Sequence, residues 1–277
     1  DDLTAVADAH AQSGLPLLVV GRGSNLLVAD EGFAGIAVAL GAAHERVHVD
    51  EAAERVVAGA GMLLPVLARR TAKSGWRGLE WAVGVPGSVG GAVRMNAGGH
   101  GSDIAASLVS VTVADLDRPA ADIVVERPAS ELGLRFRGSD LSPSSVVLDA
   151  TFDVVRGERA AAEAEIAEIV AWRRANQPGG QNAGSVFVNP VPGEVSAGAL
   201  IDAAGLRGLR HGTATVSEKH ANFIQADPGG RAADVRDLMR IVRDRVEEHA
   251  GIRLRSEIRL VGFDTGRTLR SDQVEVH

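Results

Sequence analysis

The chain has 277 residues, 45% hydrophobic and 23% charged, enough to bury a sizeable core in one large domain or two to three small ones. Its net charge of −7, from 29 Lys and Arg against 36 Asp and Glu, leaves no excess of cations to displace counterions from a nucleic acid, although a local basic cluster can still oppose the global sign and take an anionic substrate. Cysteine is absent, which excludes disulfides, thiolate nucleophiles and Cys-ligated zinc or iron–sulfur centres.

No apolar run approaches the ~20 residues of a membrane span. The first residues, Asp1-Asp2-Leu3-Thr4, do not open a signal peptide, so a cytoplasmic protein is expected. The missing initiator Met points to a segment upstream of Asp1. Residues 3–13 read as a short amphipathic helix stopped by Gly14 and Pro16. LPLLVV (15–20) is an apolar run of strand length, ending in the turn GRGSN (21–25), after which 26–29 resume as strand. Residues 46–49 and 55–58 read as a hairpin leading into Gly59-Ala60-Gly61. Residues 62–74 look helical, with Pro65 in the first turn, where a missing N–H costs little.

Residues 84–101 hold seven glycines, a density that demands close backbone packing or positive φ. Strands are expected at 107–115 and 146–155, and the clearest helix at 159–175. The break Asn176-Gln177-Pro178-Gly179-Gly180 is the best domain boundary. Beyond it come a Gly/Asn loop (179–190), a helix at 197–204, a strand at 221–226, a helix at 231–249 and a strand at 255–263. The pattern is α+β, not regular βαβ alternation.

Several constellations carry possible chemistry. In GRGSN, the backbone N–H groups with Ser24 and Asn25 could cradle a diphosphate. It is not the dinucleotide fingerprint, because no third Gly follows and a strand resumes; taken alone, a plain Gly-rich turn explains it better. The glycines of 84–101, with Pro86, Ser88, Arg94 and Asn96, could form a flat backbone surface for a large planar or diphosphate ligand, or a packed loop at a crowded junction. Ser185 follows Ala183-Gly184, so it lies outside a G-x-S-x-G nucleophile elbow, as do Ser24 and Ser88. On an extended strand, Glu257 shares a face with Arg255 and Arg259, opposite Ile258 and Leu260. His44-Glu45-Arg46-Val47-His48 spells H-E-x-x-H, but its loop-to-strand setting would point Glu45 away from both His residues and argues against a zinc site. No P-loop occurs, and 3 Trp, 6 Phe and no Tyr make no aromatic platform for single-stranded nucleic acid.

The order of these motifs is similar to that of the UDP-N-acetylenolpyruvoylglucosamine reductase family. GRGSNLLV (21–28) resembles its first flavin-binding turn, usually G-G-G-S-N, and GLEWAVGVPGSVGGAVRMNAG (78–98) resembles its most specific motif nearly residue for residue. AGSVFVNP (183–190), AAGLRG (203–208), VSEKHANFI (216–224) and EIRLVG (257–262) resemble its later stretches, so the likeness covers nearly the whole chain.

The resemblance implies an α+β flavin-binding fold of the vanillyl-alcohol-oxidase type with a C-terminal substrate domain. The expected division is 1–53, completed by about 258–268, then 54–175, then 176–257. It implies non-covalent FAD, reduction of that FAD by NADPH, and a UDP-sugar enolpyruvyl ether as substrate, in peptidoglycan precursor synthesis. FAD-binding residues carried over are Gly21, Arg22, Gly23, Ser24, Asn25, Leu26, Gly84, Pro86, Gly87, Ser88, Gly90, Gly91, Ala92, Asn96 and Gly98. The resemblance assigns Ser185 as proton donor, Arg137 and Glu257 as stabilisers of the substrate carboxylate, and Asn189 as a contact to the nucleotide part. Three features depart from the family: Phe136 replaces a Tyr, Val188 replaces a Lys, and the sequence starts after the family's usual opening strand region, which is either removed or lacking from the FAD site. These leave two alternatives: a related flavoprotein with another substrate, or a UDP-sugar-binding protein without turnover.

Overall fold

The computed structural model describes residues 2–118 and 122–263, and its chain divides into two compact units. The first holds the described residues up to Gly23 with Ala34–Ala175; the second holds Ser24–Phe33 and the described residues from Asn176 onward. Ser24–Phe33 clusters with the C-terminal unit, and Ala34–Ala175 stays in one unit.

The first unit is built on a five-stranded antiparallel sheet. Its spatial order is Val124–Pro128, Leu108–Asp115, Ser145–Asp153, Arg55–Gly59 and Val47–Asp50. A register shift between Val147 and Asp149 exchanges which alternate residues face which side. Val147, Ala150 and Phe152 consequently join one core, with Val56, Leu67 and Trp76, while Val146 and Leu148 join another, with Ala7, Val38 and Ala114. Helix Leu64–Lys73 closes the first core with Leu64, Leu67, Ala68, Thr71 and Ala72, the i, i+3, i+4, i+7, i+8 stripe of an amphipathic helix. Helix Asp2–Ser13 and the parallel pair Leu17–Val20 and Ile36–Ala39 contribute to the other core.

The second unit sets an antiparallel sheet, Arg210–His211, Ala214–Val216 and Ile224–Ala226, against helix Ala232–Ala250, which buries Val235, Leu238, Met239, Val242 and Val246. Asp30 accepts hydrogen bonds from the first amides of this helix, Ala232 and Ala233, at 2.8 and 3.3 Å, a negative charge placed at the positive end of the helix dipole. Strand Leu26–Val28 pairs in parallel with Arg259–Val261. The expected strand 255–263 is thus shorter. Only Arg259–Val261 is regular, and Ser256 Oγ donates to the Ile258 carbonyl at 2.7 Å, a local bond that competes with the ladder. The predicted alternation fails with it: Ile258 is buried, but Leu260 is exposed.

Candidate active site

In the first unit the glycine-rich stretch is not one flat surface. It is a 3₁₀ turn, Glu80–Gly84, then a short helix, Val89–Met95, then a tight pair of extended segments, Gly98–Gly99 and Ser102–Asp103. Three glycines serve the protein's own packing. A Cβ on Gly84 would stand 2.5 Å from the His100 ring, one on Gly90 2.9 Å from the Ala60 side chain, and one on Gly98 2.6 Å from Asp103. Asn96 ends the helix in the left-handed region, φ 39°, and is buried. Its Oδ1 accepts the Ala105 N–H and its Nδ2 donates to Asp103 and to the Arg135 carbonyl.

The glycines at 21, 23, 91 and 101 differ in what surrounds them. Gly21 and Gly91 flank the hydroxyl of Ser88, their missing Cβ atoms falling 2.5 and 3.5 Å from Ser88 Oγ. Gly23, in the left-handed region at φ 68°, meets nothing within 4 Å, and neither does Gly101. Ser88 precedes the helix without capping it by its side chain. The Val89 and Gly90 amides are taken by the Met62 and Ala60 carbonyls, both at 2.9 Å, so the helix end offers neither amide to a ligand. Gly21, Gly23, Pro86 and Gly91 are exposed and a Cβ on Gly23 would enter open space, so these turns present accessible backbone of a kind that fits FAD. Gly84, Gly90, Asn96 and Gly98 are engaged in internal contacts, and Ala92 is a buried residue of the core.

Arg137 stands in a two-residue turn closed by reciprocal Arg135 and Gly138 backbone bonds of 3.0 Å. Its φ of 59° is unusual for a side-chain-bearing residue. The guanidinium donates to the Gly98 carbonyl at 3.1 Å and lies 4.9 Å from the centre of the exposed Phe136 ring. The structure thus ties the Arg137 turn to the end of the glycine-rich stretch. Nearby, His100 packs edge-on against Trp172, and Arg173 donates to the Gly84 carbonyl. Burial, then the Arg173 charge, holds the His100 pKa below its ordinary value.

In the second unit Ser24, Asn25 and Leu26 lie with the segment that carries Glu257. Asn25 Nδ2 donates to the Glu257 carbonyl at 3.2 Å, and the Arg259 amide donates to the Asn25 carbonyl at 2.9 Å. Ser185 and Glu257 come together on paired backbone. The Glu257 amide donates to the Val186 carbonyl at 2.8 Å, Phe187 bridges Ser256, and the Val188 amide donates to the Arg255 carbonyl at 2.9 Å. Both Ser185 and Glu257 are half-buried. Asn189 Oδ1 accepts the amide of Ala197, the first residue of helix Ala197–Ala203, at 3.1 Å. That leaves its NH₂ group to donate to a ligand. Val188, where the family has Lys, is buried.

Sequence reasoning did not single out Asn222. Its Oδ1 accepts the Phe187 amide at 2.9 Å, its Nδ2 donates to the Phe187 carbonyl at 2.8 Å, and its own carbonyl accepts the Val186 amide. One buried side chain clamps the segment after Ser185; the only local signal was an Asn set between Ala221 and Phe223 in an otherwise apolar run. The H-E-x-x-H string has the setting expected for it: His44 ends a 3₁₀ turn, Val47–Asp50 is a strand and His48 is exposed. Among the described residues no group of three or more His, Cys, Asp or Glu is placed to hold a metal, and no helix is long and apolar enough to cross a membrane.

The chain is similar to known proteins over most of its length. A family model described as UDP-N-acetylenolpyruvoylglucosamine reductase, C-terminal domain, matches residues 176–261, and one described as FAD binding domain matches residues 1–117. The UDP-N-acetylenolpyruvoylglucosamine reductase of Heliobacterium modesticaldum is 41% identical over 96% of this chain and 83% of its own. That of Gloeobacter violaceus is 43% identical over 91% of this chain and 83% of its own. The crystal structure of the Thermus caldophilus UDP-N-acetylenolpyruvylglucosamine reductase superposes with a TM-score of 0.78 at 35% identity, covering 92% of this chain and 88% of that one.

Proposed function

The chain belongs to the UDP-N-acetylenolpyruvoylglucosamine reductase family, and from that premise we propose that it reduces UDP-N-acetylglucosamine enolpyruvate to UDP-N-acetylmuramate with NADPH, through FAD. Bound FAD supplies the acceptance and delivery of hydride. The side chains do the rest. Hydride addition at the terminal vinyl carbon leaves negative charge on the adjacent carbon and its carboxylate. Arg137 stabilises that charge as a cation. Glu257 stabilises it by donating a hydrogen bond, which requires this glutamic acid to keep its proton at the working pH. Ser185 gives the carbanionic carbon its proton. Asn189 holds the nucleotide part through its NH₂ group, because its oxygen is engaged by Ala197. The reaction belongs in the cytoplasm, the compartment that holds NADPH and nucleotide-activated sugars.

The observation that supports these roles best is the backbone pairing that sets Glu257 opposite Val186, one residue beyond Ser185. An absorption spectrum tests the whole reading. The protein with FAD should show a flavin band that NADPH bleaches without oxygen and that the enolpyruvyl sugar nucleotide restores. A band that stays bleached would assign another acceptor, and a protein that takes up no FAD would overturn the reading.

A further inference from the structure

We propose that the C-terminal unit carries an anion site for a phosphate-bearing ligand on one face of helix Ala232–Ala250, apart from the candidate catalytic residues. Arg236, Arg240 and Arg243 follow an i, i+4, i+7 spacing, so they share a helix face beside the apolar stripe that enters the core. They line a cavity of about 240 Å³ with Phe187, Met239 and Ser256. That volume exceeds the ~30 Å³ share of a water molecule severalfold, leaving room for a phosphate or diphosphate. Phe187 is fully buried, and an apolar wall of this kind strengthens the field of the cations above it.

The arginines are only partly satisfied. Arg243 Nε is buried and has no hydrogen-bond partner among the described residues, so an acceptor in the cavity would relieve an unpaired donor. Arg240 meets Asp244 at 3.6 Å with both side chains more than half exposed, a weak pair that leaves its guanidinium available. Arg236 is held at 3.0 Å by Asp237, the one carboxylate among the described residues of the cavity wall, and lies over the Phe263 ring at 5.3 Å. Three planar guanidinium forks around one cavity match the oxygens of a phosphate better than a lone point charge would. Ser256 and Phe187 are bridge partners on the cavity wall, whereas neither Ser185 nor Glu257 lines the cavity.

A phosphate of this kind has two sources, the 2′-phosphate of NADPH or an independent phosphorylated metabolite. Calorimetry of the whole protein with inorganic pyrophosphate needs neither flavin nor turnover, so it stands whether or not the reductase reading does. Wild type should bind one equivalent. R240A, at an exposed position, and R240A/R243Q should bind progressively more weakly, the double variant by at least about tenfold. D237N should bind several-fold more tightly, because it removes the competing carboxylate. Unchanged affinity in R240A/R243Q, or no gain in D237N, would overturn the proposal. If R240A also raises KM for NADPH but not for NADH, the ligand is the coenzyme's 2′-phosphate. If both KM values hold while pyrophosphate binding is lost, it is a separate phosphorylated compound.

Discussion

Replacing Asn222 with alanine should destabilise the protein by about 2–6 kcal/mol and loosen the segment that carries Ser185. The side chain is only 4% exposed and makes two hydrogen bonds, of 2.9 and 2.8 Å, to the amide and carbonyl of Phe187, which is itself 2% exposed. Alanine deletes both partners at once. Each buried backbone group left unpaired costs about 1–3 kcal/mol, which gives the range stated. The Val186 amide keeps its bond to the Asn222 carbonyl, so the segment stays attached while its middle loses protection.

The loosening reaches Glu257, whose amide is bonded to the Val186 carbonyl. Hydrogen exchange over residues 184–190, with thermal unfolding alongside, reads both effects. N222D retains the acceptor for the Phe187 amide and should show a smaller loss of protection there. If N222A keeps the Phe187 amide protected and shifts stability by less than about 0.5 kcal/mol, the clamp argument is refuted.

Other outcomes follow from single contacts. S185A should lower kcat by about 10²–10⁴ while NADPH bleaches the flavin at an unchanged rate, read by stopped-flow absorbance. G21A places a Cβ 2.5 Å from Ser88 Oγ and should cost about 1–3 kcal/mol with reduced flavin content. G21A/S88A should recover the stability, because the Ser88 Cβ is 3.8 Å away; melting temperatures of the two variants decide it. His220 has a pKa held below its ordinary 6.5 by burial first and the Arg207 charge second, and its Nδ1 accepts the Asn222 amide at 3.2 Å. The unfolded ring binds a proton more readily than the folded one. Its contribution to stability is therefore complete above pH 6.5 and is lost as pH falls through the lower folded pKa. Denaturant midpoints between pH 7 and 5 should fall less steeply in H220N than in wild type.

Much of this was legible because short-range physics dominated. Helix Arg159–Asn176 and helix Leu64–Lys73 stand where composition and the Pro65 position put them. The hairpin Val47–Asp50 with Arg55–Gly59 stands where its β-branched runs put it. The failures share a cause of another kind. Helix Val89–Met95 was hidden because two glycines in its first turns argue against a helix; packing of Gly90 against Ala60 overrides that propensity. The strand at 255–263 read as continuous because alternation cannot register a serine hydroxyl bonding two residues ahead, as Ser256 does with Ile258. Asn222 carried no pattern at all, since its partner Phe187 is 35 residues away.

The glycines of the candidate flavin site carry the same lesson one step further. Counted in sequence, Gly84, Gly87, Gly90, Gly91 and Gly98 are a single signal, and that signal fits a ligand surface and a crowded junction equally well. The contacts split it. Gly84, Gly90, Gly98 and Gly21 are small because His100, Ala60, Asp103 and Ser88 occupy the space, whereas Gly91 would meet only the Ser88 hydroxyl, at 3.5 Å, and Gly23 meets only open space. Alanine at Gly90 should thus damage folding whether or not FAD is present. Alanine at Gly23 meets no neighbour, and its cost to the apo protein is limited to the strain of a positive φ, about 1–2 kcal/mol. Any further loss of FAD affinity in G23A, measured against that baseline, belongs to the ligand.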